Sequence, residues 1–213
     1  MKIYIIRHGE TDANVQGRLQ GWSEVPLNEN GIFLAKETGK GLKDVHFDVA
    51  FSSSLMRAKQ SAEIILEHSG NNCPVLIDDR IKEINMGDYE GKKFRPGECE
   101  IDPDFVKIFF EDPAHAPAFP GGECVIDVMK RTQAFLKELG TKDYETVLVS
   151  THGYALRSML NFLYDDPDDF WHGHVPYNCV VNIVEASDAG LKLVGDDLLF
   201  YDEKYCADRY AKY

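Results

Sequence analysis

The chain has 213 residues, 44% of them hydrophobic and 28% charged, which fits a folded globular protein and excludes collagen-like, disordered and disulfide-scaffold classes. This length supports a core without metal or disulfide staples, and one compact domain over residues 1–213 with an insertion is expected. With 23 basic and 36 acidic residues the net charge is −13, so the molecule as a whole repels nucleic acid and anionic membrane, and an anionic substrate would need a local gathering of cations.

The opening run Met1-Lys2-Ile3-Tyr4-Ile5-Ile6-Arg7 is too short for a signal peptide, and no stretch approaches a membrane span, which predicts a cytoplasmic protein. Residues 3–6 read as a strand buried on both faces. Residues 29–43 read as a helix with Ile32, Ala35, Gly39 and Leu42 on one face. A short strand follows at 49–51. Leu55, Ala58, Ala62 and Leu66 then fall at helical spacing, with Ser54 as the expected N-cap.

Val125, Val128, Thr132, Phe135 and Leu139 mark another helix, with Gly140 expected just past its end. Residues 146–149 form a third buried strand, followed by a helix at about 155–163. Strands at 179–184 and 191–194 flank a turn at Asp188-Ala189-Gly190. The alternation argues for an α/β three-layer sandwich: a mostly parallel central sheet flanked by helices. Residues 85–122 break the rhythm with five prolines and five glycines, and read as a cap insertion with a short helix near 103–110. The five cysteines form no C-x-x-C pair, so neither a zinc knuckle nor a thioredoxin-like site is suggested.

Three strand ends deliver unusual polar residues: Arg7-His8-Gly9-Glu10-Thr11, Ser52-Ser53-Ser54-Leu55-Met56-Arg57 and Ser150-Thr151-His152-Gly153. Ligands of open α/β sheets bind beyond the carboxyl ends of the strands. Parallel neighbours would bring Arg7, His8, Arg57 and His152 into one crevice, with Arg57 in the first turn of its helix. Guanidinium forks match phosphate oxygens, and neutral imidazole is a competent nucleophile. A glycine after each histidine would let backbone approach the ligand.

These residues resemble the signature of the histidine phosphatase superfamily, in its phosphoglycerate-mutase-like branch. The likeness continues through Asn14, Gly17-Arg18-Leu19-Gln20-Gly21, Pro26-Leu27-Asn28 and Gly31. It runs on through Ser52 to Ala62, Glu83, Gly87, Tyr89-Glu90-Gly91, Pro120-Gly121-Gly122-Glu123, Ser150-Thr151-His152-Gly153 and Asn178. The blocks span residues 3 to about 184 in the family's order, and the tail after Asp202 matches none of them.

The resemblance implies a phosphohistidine enzyme without metal or other cofactor, acting on a small phosphorylated metabolite. His8 would attack phosphorus, while Arg7, Arg57 and His152 bind the transferred group. Asn14 and the Gly153 N–H would donate further hydrogen bonds. Glu83 would serve as general acid and then base, which requires a raised pKa. By residue type alone Glu90 and Glu123 compete with Glu83, and motif order favours Glu83. Glu10 reads as a structural carboxylate beside Arg7 or Arg57. Gln20 would line the substrate side or simply shape its loop.

The stretch Asn85 to Arg95 lacks the Gly-Leu-Asn-Lys-like segment of glycolytic mutases, and no paired-arginine segment follows, so a phosphatase is favoured over a mutase. A non-catalytic phosphate binder would be expected to have lost His8 or Glu83. Lys92, Lys93, Arg95 and Lys107 would either contact a second anionic group or balance an acidic surface. Phe94, Phe105, Phe109, Phe110 and Phe119 would form either an apolar wall or a small cap core. His172 and His174, with Asp168 or Asp169, lack a third metal ligand fixed by spacing, and read as a loop beside the sheet. Oligomeric state is not legible.

Overall fold

The computed structural model describes residues 1–206. In chain order the elements are β1 (Lys2–Arg7), α1 (Asp12–Gln16), α2 (Glu29–Gly41), β2 (Val49–Ser52), α3 (Met56–Ser69) and β3 (Val75–Ile77). Then come α4 (Pro103–Glu111), α5 (Val125–Leu139), β4 (Thr146–Thr151), α6 (Gly153–Leu160), β5 (Val181–Ser187) and β6 (Gly190–Leu198), with short 3-10 turns between. One sheet has the order β3-β2-β4-β1-β5-β6. The β3–β2, β2–β4 and β4–β1 pairs are parallel, whereas β5 runs antiparallel to β1 and β6 to β5.

The two-residue period of a strand sends alternate side chains to opposite faces. Ile3, Ile5, Val147 and Val149 pack on Phe135 and Leu136 of α5 and on Met159 and Leu160 of α6. Ile6, Ala50, Leu148 and Val181 pack on Leu34 and Ala35 of α2 and on Ile65 and Leu66 of α3. Helices therefore cover both faces, as expected for an α/β sandwich with a mostly parallel sheet. Each fully buried aliphatic side chain in these layers contributes about 1.5–3 kcal/mol of transfer free energy. Among the described residues, no helix is long and apolar enough to cross a membrane.

Segment 85–122 carries α4, capped by Asp102 with Pro103 in its first turn. Its Phe105, Phe109 and Phe119 meet edge-on or stacked, with centroids 4.8–6.1 Å apart. They join a third apolar cluster with Val128 of α5 and Tyr154 of α6. That cluster sits against the amino-terminal end of α6, beyond the carboxyl end of β4.

Several local expectations change. Ile32 is exposed, and Gly31, Leu34 and Thr38 join Ala35 and Gly39 on the buried face, because the helix stripe is shifted toward the preceding residue. Ser54 is not the cap of α3: Leu55 holds that position. Ser53 Oγ accepts from the Leu55 N–H at 3.2 Å and Glu24 from the Met56 N–H at 2.8 Å, while Ser54 bonds Asp79. Gly140 is right-handed (φ −59°), so its glycine is not required by a left-handed turn. Cys179 lies in a turn at φ 57°, and β5 begins only at Val181. The helix after β4 starts earlier, at Gly153, and its last turn is a 3-10 turn, Asn161–Leu163. Of the tail after Asp202, residues 203–205 form a 3-10 turn with Tyr205 beside Phe33, and residues 207–213 lie outside the described residues.

Candidate active site

Strands β2, β4 and β1 are consecutive in the sheet, with Arg7 level with Thr151 and Ser52 level with Ser150. His8, Ser53 and His152 directly follow these strands. The His8 N–H bonds Thr151 O at 2.9 Å and the Ser53 N–H bonds Ser150 O at 3.2 Å, so the three chain ends leave the sheet tied together. The His8 and His152 rings come within 5.1 Å, centroid to centroid.

His8 Nδ1 lies 2.7 Å from the carbonyl oxygen of its neighbour Gly9. A carbonyl only accepts, so Nδ1 carries the hydrogen and Nε2 carries the lone pair. Arg57 Nε donates to that Nε2 at 3.3 Å. Burial holds the His8 pKa well below its usual 6.5, and the Arg57 and Arg7 charges push the same way, against the Gly9 hydrogen bond. His8 is therefore neutral at neutral pH.

His152 Nε2 lies 2.7 Å from Ser53 Oγ. That hydroxyl also accepts from the Leu55 N–H at 3.2 Å. Nδ1 is buried without a hydrogen-bond partner. A buried polar atom left this way is costly and marks a place for a hydrogen-bonding ligand. Burial, then Arg57 and His8, keep the His152 pKa well below 6.5.

Arg57, the second residue of α3, is fully buried. Its guanidinium donates to the carbonyls of Gln20 (3.1 Å), Gly21 (2.8 Å) and Ser23 (2.8 Å). Glu90 holds the other side of that loop, accepting from the N–H groups of Gly21, Trp22 and Ser23. A carboxylate on successive N–H groups turns the loop carbonyls toward Arg57. Burial lowers the Arg57 pKa to about 10, against the pull of Glu83, Glu90 and Glu24, and the group stays charged at neutral pH. Arg7 donates to Pro176 O.

Glu83 accepts three backbone N–H bonds: Ile84 at 2.9 Å, Ala155 at 3.0 Å and Tyr154 at 3.2 Å. Two of these are free donors in the first turn of α6, so Glu83 does the capping that the N-cap His152 does not. The N–H bonds and Arg57 favour its carboxylate form, yet burial outweighs them and raises its pKa above 4.5. Arg131 and Trp22 both donate to Glu83 O at 2.8 Å and fix the backbone there.

A cleft opens over this corner, and Arg7, His8, Asn14, Gln20, Glu83 and Gly153 line its sheet end. His152 and Arg57, both fully buried, adjoin His8 at this end. Asn14 Oδ1 accepts from Thr11 and Asn178, which leaves the Asn14 amide N–H₂ to the cleft. Gln20 is held by Thr11 Oγ1 at 2.7 Å. Asn178 Nδ2 donates to His8 O at 3.0 Å, and Tyr201 OH to Asn178 O.

The two His-Gly corners differ in what the glycine does. A Cβ on Gly9 would lie 2.6 Å from Gly31 O, so Gly9 is bare for packing against α2, not for a ligand. A Cβ on Gly153 would lie 3.4 Å from Arg7 Nε, an ordinary contact, so packing does not demand a glycine at the start of α6.

Glu90 and Glu123 do not line the cleft: Glu90 holds the Gly21–Ser23 loop, and Glu123 pairs with Arg131 at 2.8 Å. Glu10 accepts from Asn28 Nδ2 at 2.9 Å, and Asn28 in turn caps α2. Lys92, Lys93 and Arg95 also stay out of the cleft lining. Lys92 sits over Tyr89, Lys93 pairs with Glu98, and Arg95 caps α1 through Asn14 O and Val15 O. His172 stacks on Tyr164 at 3.4 Å, and His174 lies 3.4 Å from Asp197.

Sequence reasoning missed Ser53, Ser61, Arg131 and the cleft-lining Arg18, Leu19, Trp171 and Val175. Ser61 Oγ accepts from the Gly9 N–H and donates to Arg57 O. Its position four residues after Arg57 on α3 was the available signal. Trp171 and Val175 lie in a loop with no periodicity to read.

Residues 3–196 match the model of the histidine phosphatase superfamily (branch 1). The chain is 34% identical to phosphoserine phosphatase 1 of Hydrogenobacter thermophilus over 173 residues, 80% of each chain. It is 32% identical to a 2,3-bisphosphoglycerate-dependent phosphoglycerate mutase of Cytophaga hutchinsonii over 178 residues, 80% of this chain and 81% of that one. Among solved structures, Bacillus stearothermophilus YhfR superposes with a TM-score of 0.84 at 32% identity, covering 93% of this chain and 98% of that one.

Proposed function

The chain belongs to the histidine phosphatase superfamily, branch 1, and from that premise we propose that it is a phosphatase acting on a small-molecule phosphomonoester through a phosphohistidine on His8. The observation that carries this is the state of His8: a neutral ring with Nδ1–H fixed on Gly9 O and the Nε2 lone pair beside Arg57 at the floor of the cleft. His8 Nε2 forms a bond to phosphorus as the ester P–O bond breaks. Arg7, Arg57, Asn14 and Gln20, His152 Nδ1 and the Gly153 N–H hold the equatorial oxygens, where charge is carried in the transition state. Glu83 gives its proton to the leaving oxygen. Water then attacks phosphorus, Glu83 takes the water's proton, and the N–P bond breaks to return neutral His8. A phosphate dianion in the cleft raises the Glu83 pKa further, which suits an acid in the first step.

Residues 85–122 act in this scheme as a cap over the leaving group. The mutase reading is favoured by relatives of that name, but the chain lacks the mutase stretch after Glu83. The test is mass spectrometry of protein quenched after mixing with para-nitrophenyl phosphate. A transient phosphate on the peptide bearing His8, with continuous nitrophenol release, is the expected result; steady turnover with the label absent or on another residue overturns it. Mixing with 2,3-bisphosphoglycerate and 3-phosphoglycerate separates the mutase: phosphoryl return to substrate in place of phosphate release identifies it.

A further inference from the structure

The far end of the cleft is built differently from its floor. Leu19, Phe94, Phe109, Phe110, Trp171 and Val175 line it. Phe94 and Phe110 stack at 26° with centroids 5.6 Å apart, and Phe110 and Trp171 at 22° and 6.0 Å, so three rings form one nearly parallel ladder. The polar tips near this wall are consumed inside the protein. Trp171 Nε1 donates to Phe110 O at 2.8 Å, and Tyr154 OH to Phe109 O. What these rings present is carbon.

Resting on the phosphatase reading of the floor, we infer that the substrate's leaving group is a flat apolar body carrying no second anionic group. A hydroxylated leaving group entering this wall gives up water for carbon and regains no hydrogen bonds. A second carboxylate or phosphate needs a cation, and the nearby cations are already turned to carbonyls or carboxylates of the protein. Arg18, the charged residue lining the cleft outside the floor among the described residues, donates to Gly91 O at 2.8 Å and Gln16 Oε1 at 2.9 Å, and lies 3.7 Å from Glu100. Lys93 and Arg95 are engaged on Glu98 and on the end of α1. Flat rings gain most from partners that stack on them, at little conformational cost.

The experiment is calorimetric titration of the whole protein with 2-phenylethylphosphonate, 2-hydroxyethylphosphonate and 2-carboxyethylphosphonate, which share the phosphonate and differ only at the far end. Binding of the phenyl compound at least tenfold tighter than either other is expected, the scale of burying part of one ring. Phe110→Ala narrows the ratio to about threefold or less while vanadate still binds, and Phe110→Leu, which keeps a large apolar side chain but no ring, lowers it partway. Equal affinities, or tightest binding of the carboxyl compound, overturn the inference. Hydrolysis of the three matching phosphate esters is followed in parallel. The expected affinity order without turnover of any ester sinks the phosphatase reading and leaves the wall assignment standing; turnover of all three with equal affinities does the reverse.

Discussion

The two ends of the cleft are fixed by different forces. At the floor, functional side chains are held by main chain: His8 by Gly9 O, Arg57 by three loop carbonyls, Glu83 by the first turn of α6. Those atoms belong to strand ends and helix starts that the sheet registers to one another. At the wall, side chains rest mainly on other side chains, from segments 85–122 and 164–176, and the contacts are rings on rings. Directional bonds to rigid backbone tolerate little displacement, whereas dispersion contacts among rings tolerate exchange of one ring for another. The floor is thus suited to invariant chemistry, and the wall can be recut for a different leaving group without moving it.

Changes at the floor carry the largest effects. His8→Ala removes the proposed nucleophile and is expected to lower kcat by at least about 10⁴-fold in phosphatase assays, with phosphate binding retained. Arg57→Lys keeps a charge but loses the fork on Gln20, Gly21 and Ser23; a fall in kcat/KM of about 10²–10³ is expected, and near-normal activity would show that the loop carbonyls orient themselves without it. Glu83→Gln is expected to slow alkyl phosphates by about 10²–10⁴ and para-nitrophenyl phosphate much less, because nitrophenolate leaves without a proton. Equal losses on both would remove Glu83 from the proton path.

The pH profile sharpens the same contrast. In the proposed mechanism His8 must be neutral, and its pKa lies below 6.5, so the acid limb of kcat/KM is expected below pH 6.5. Glu83 must be protonated, and its pKa is raised above 4.5, so the alkaline limb belongs to Glu83 and is expected to vanish in Glu83→Gln. Buried neutral His8 and His152 also link folding to pH. Below about pH 6.5 the unfolded chain binds protons that the folded chain refuses, so stability falls as pH drops through that range. Thermal melts from pH 7 to 5 read this directly. The smallest effect is expected at Lys93→Ala and Arg95→Gln: activity within about twofold, with Arg95→Gln loosening α1 by about 0.3–1 kcal/mol.

Much of the floor was legible because strand ends announce themselves. Alternating strands and helices put Arg7, His8, Arg57 and His152 at the same edge of a parallel sheet, whatever the packing detail. Charge and ring type, in contrast, carry no direction in a sequence. Glu83, Glu90 and Glu123 are equivalent as letters, and they part only because one caps α6 in the cleft, one holds the Gly21–Ser23 loop and one pairs with Arg131. Arg95 was legible as a cation near the cap, not as the cap of α1. The two His-Gly corners look alike in the chain, yet Gly9 is required by the backbone of Gly31, whereas a side chain at Gly153 would meet Arg7 only at ordinary contact distance. Ser54 lost its expected capping role to Glu24 and Ser53, groups whose reach depends on the turn after β2.

The amino-acid sequence by itself determined the α/β alternation, the strand ends that bear Arg7, His8 and His152 and the irregular stretch at 85–122, since each is set by local periodicity or by residues close in the chain. The tertiary structure decided which carboxylate meets the cleft, which rings line it and which cations are left for a substrate. Those outcomes depend on contacts such as Glu83 with Tyr154 and Arg7 with Pro176, made across 71 and 169 residues. No local preference encodes them; they exist only once the sheet has brought the distant ends together.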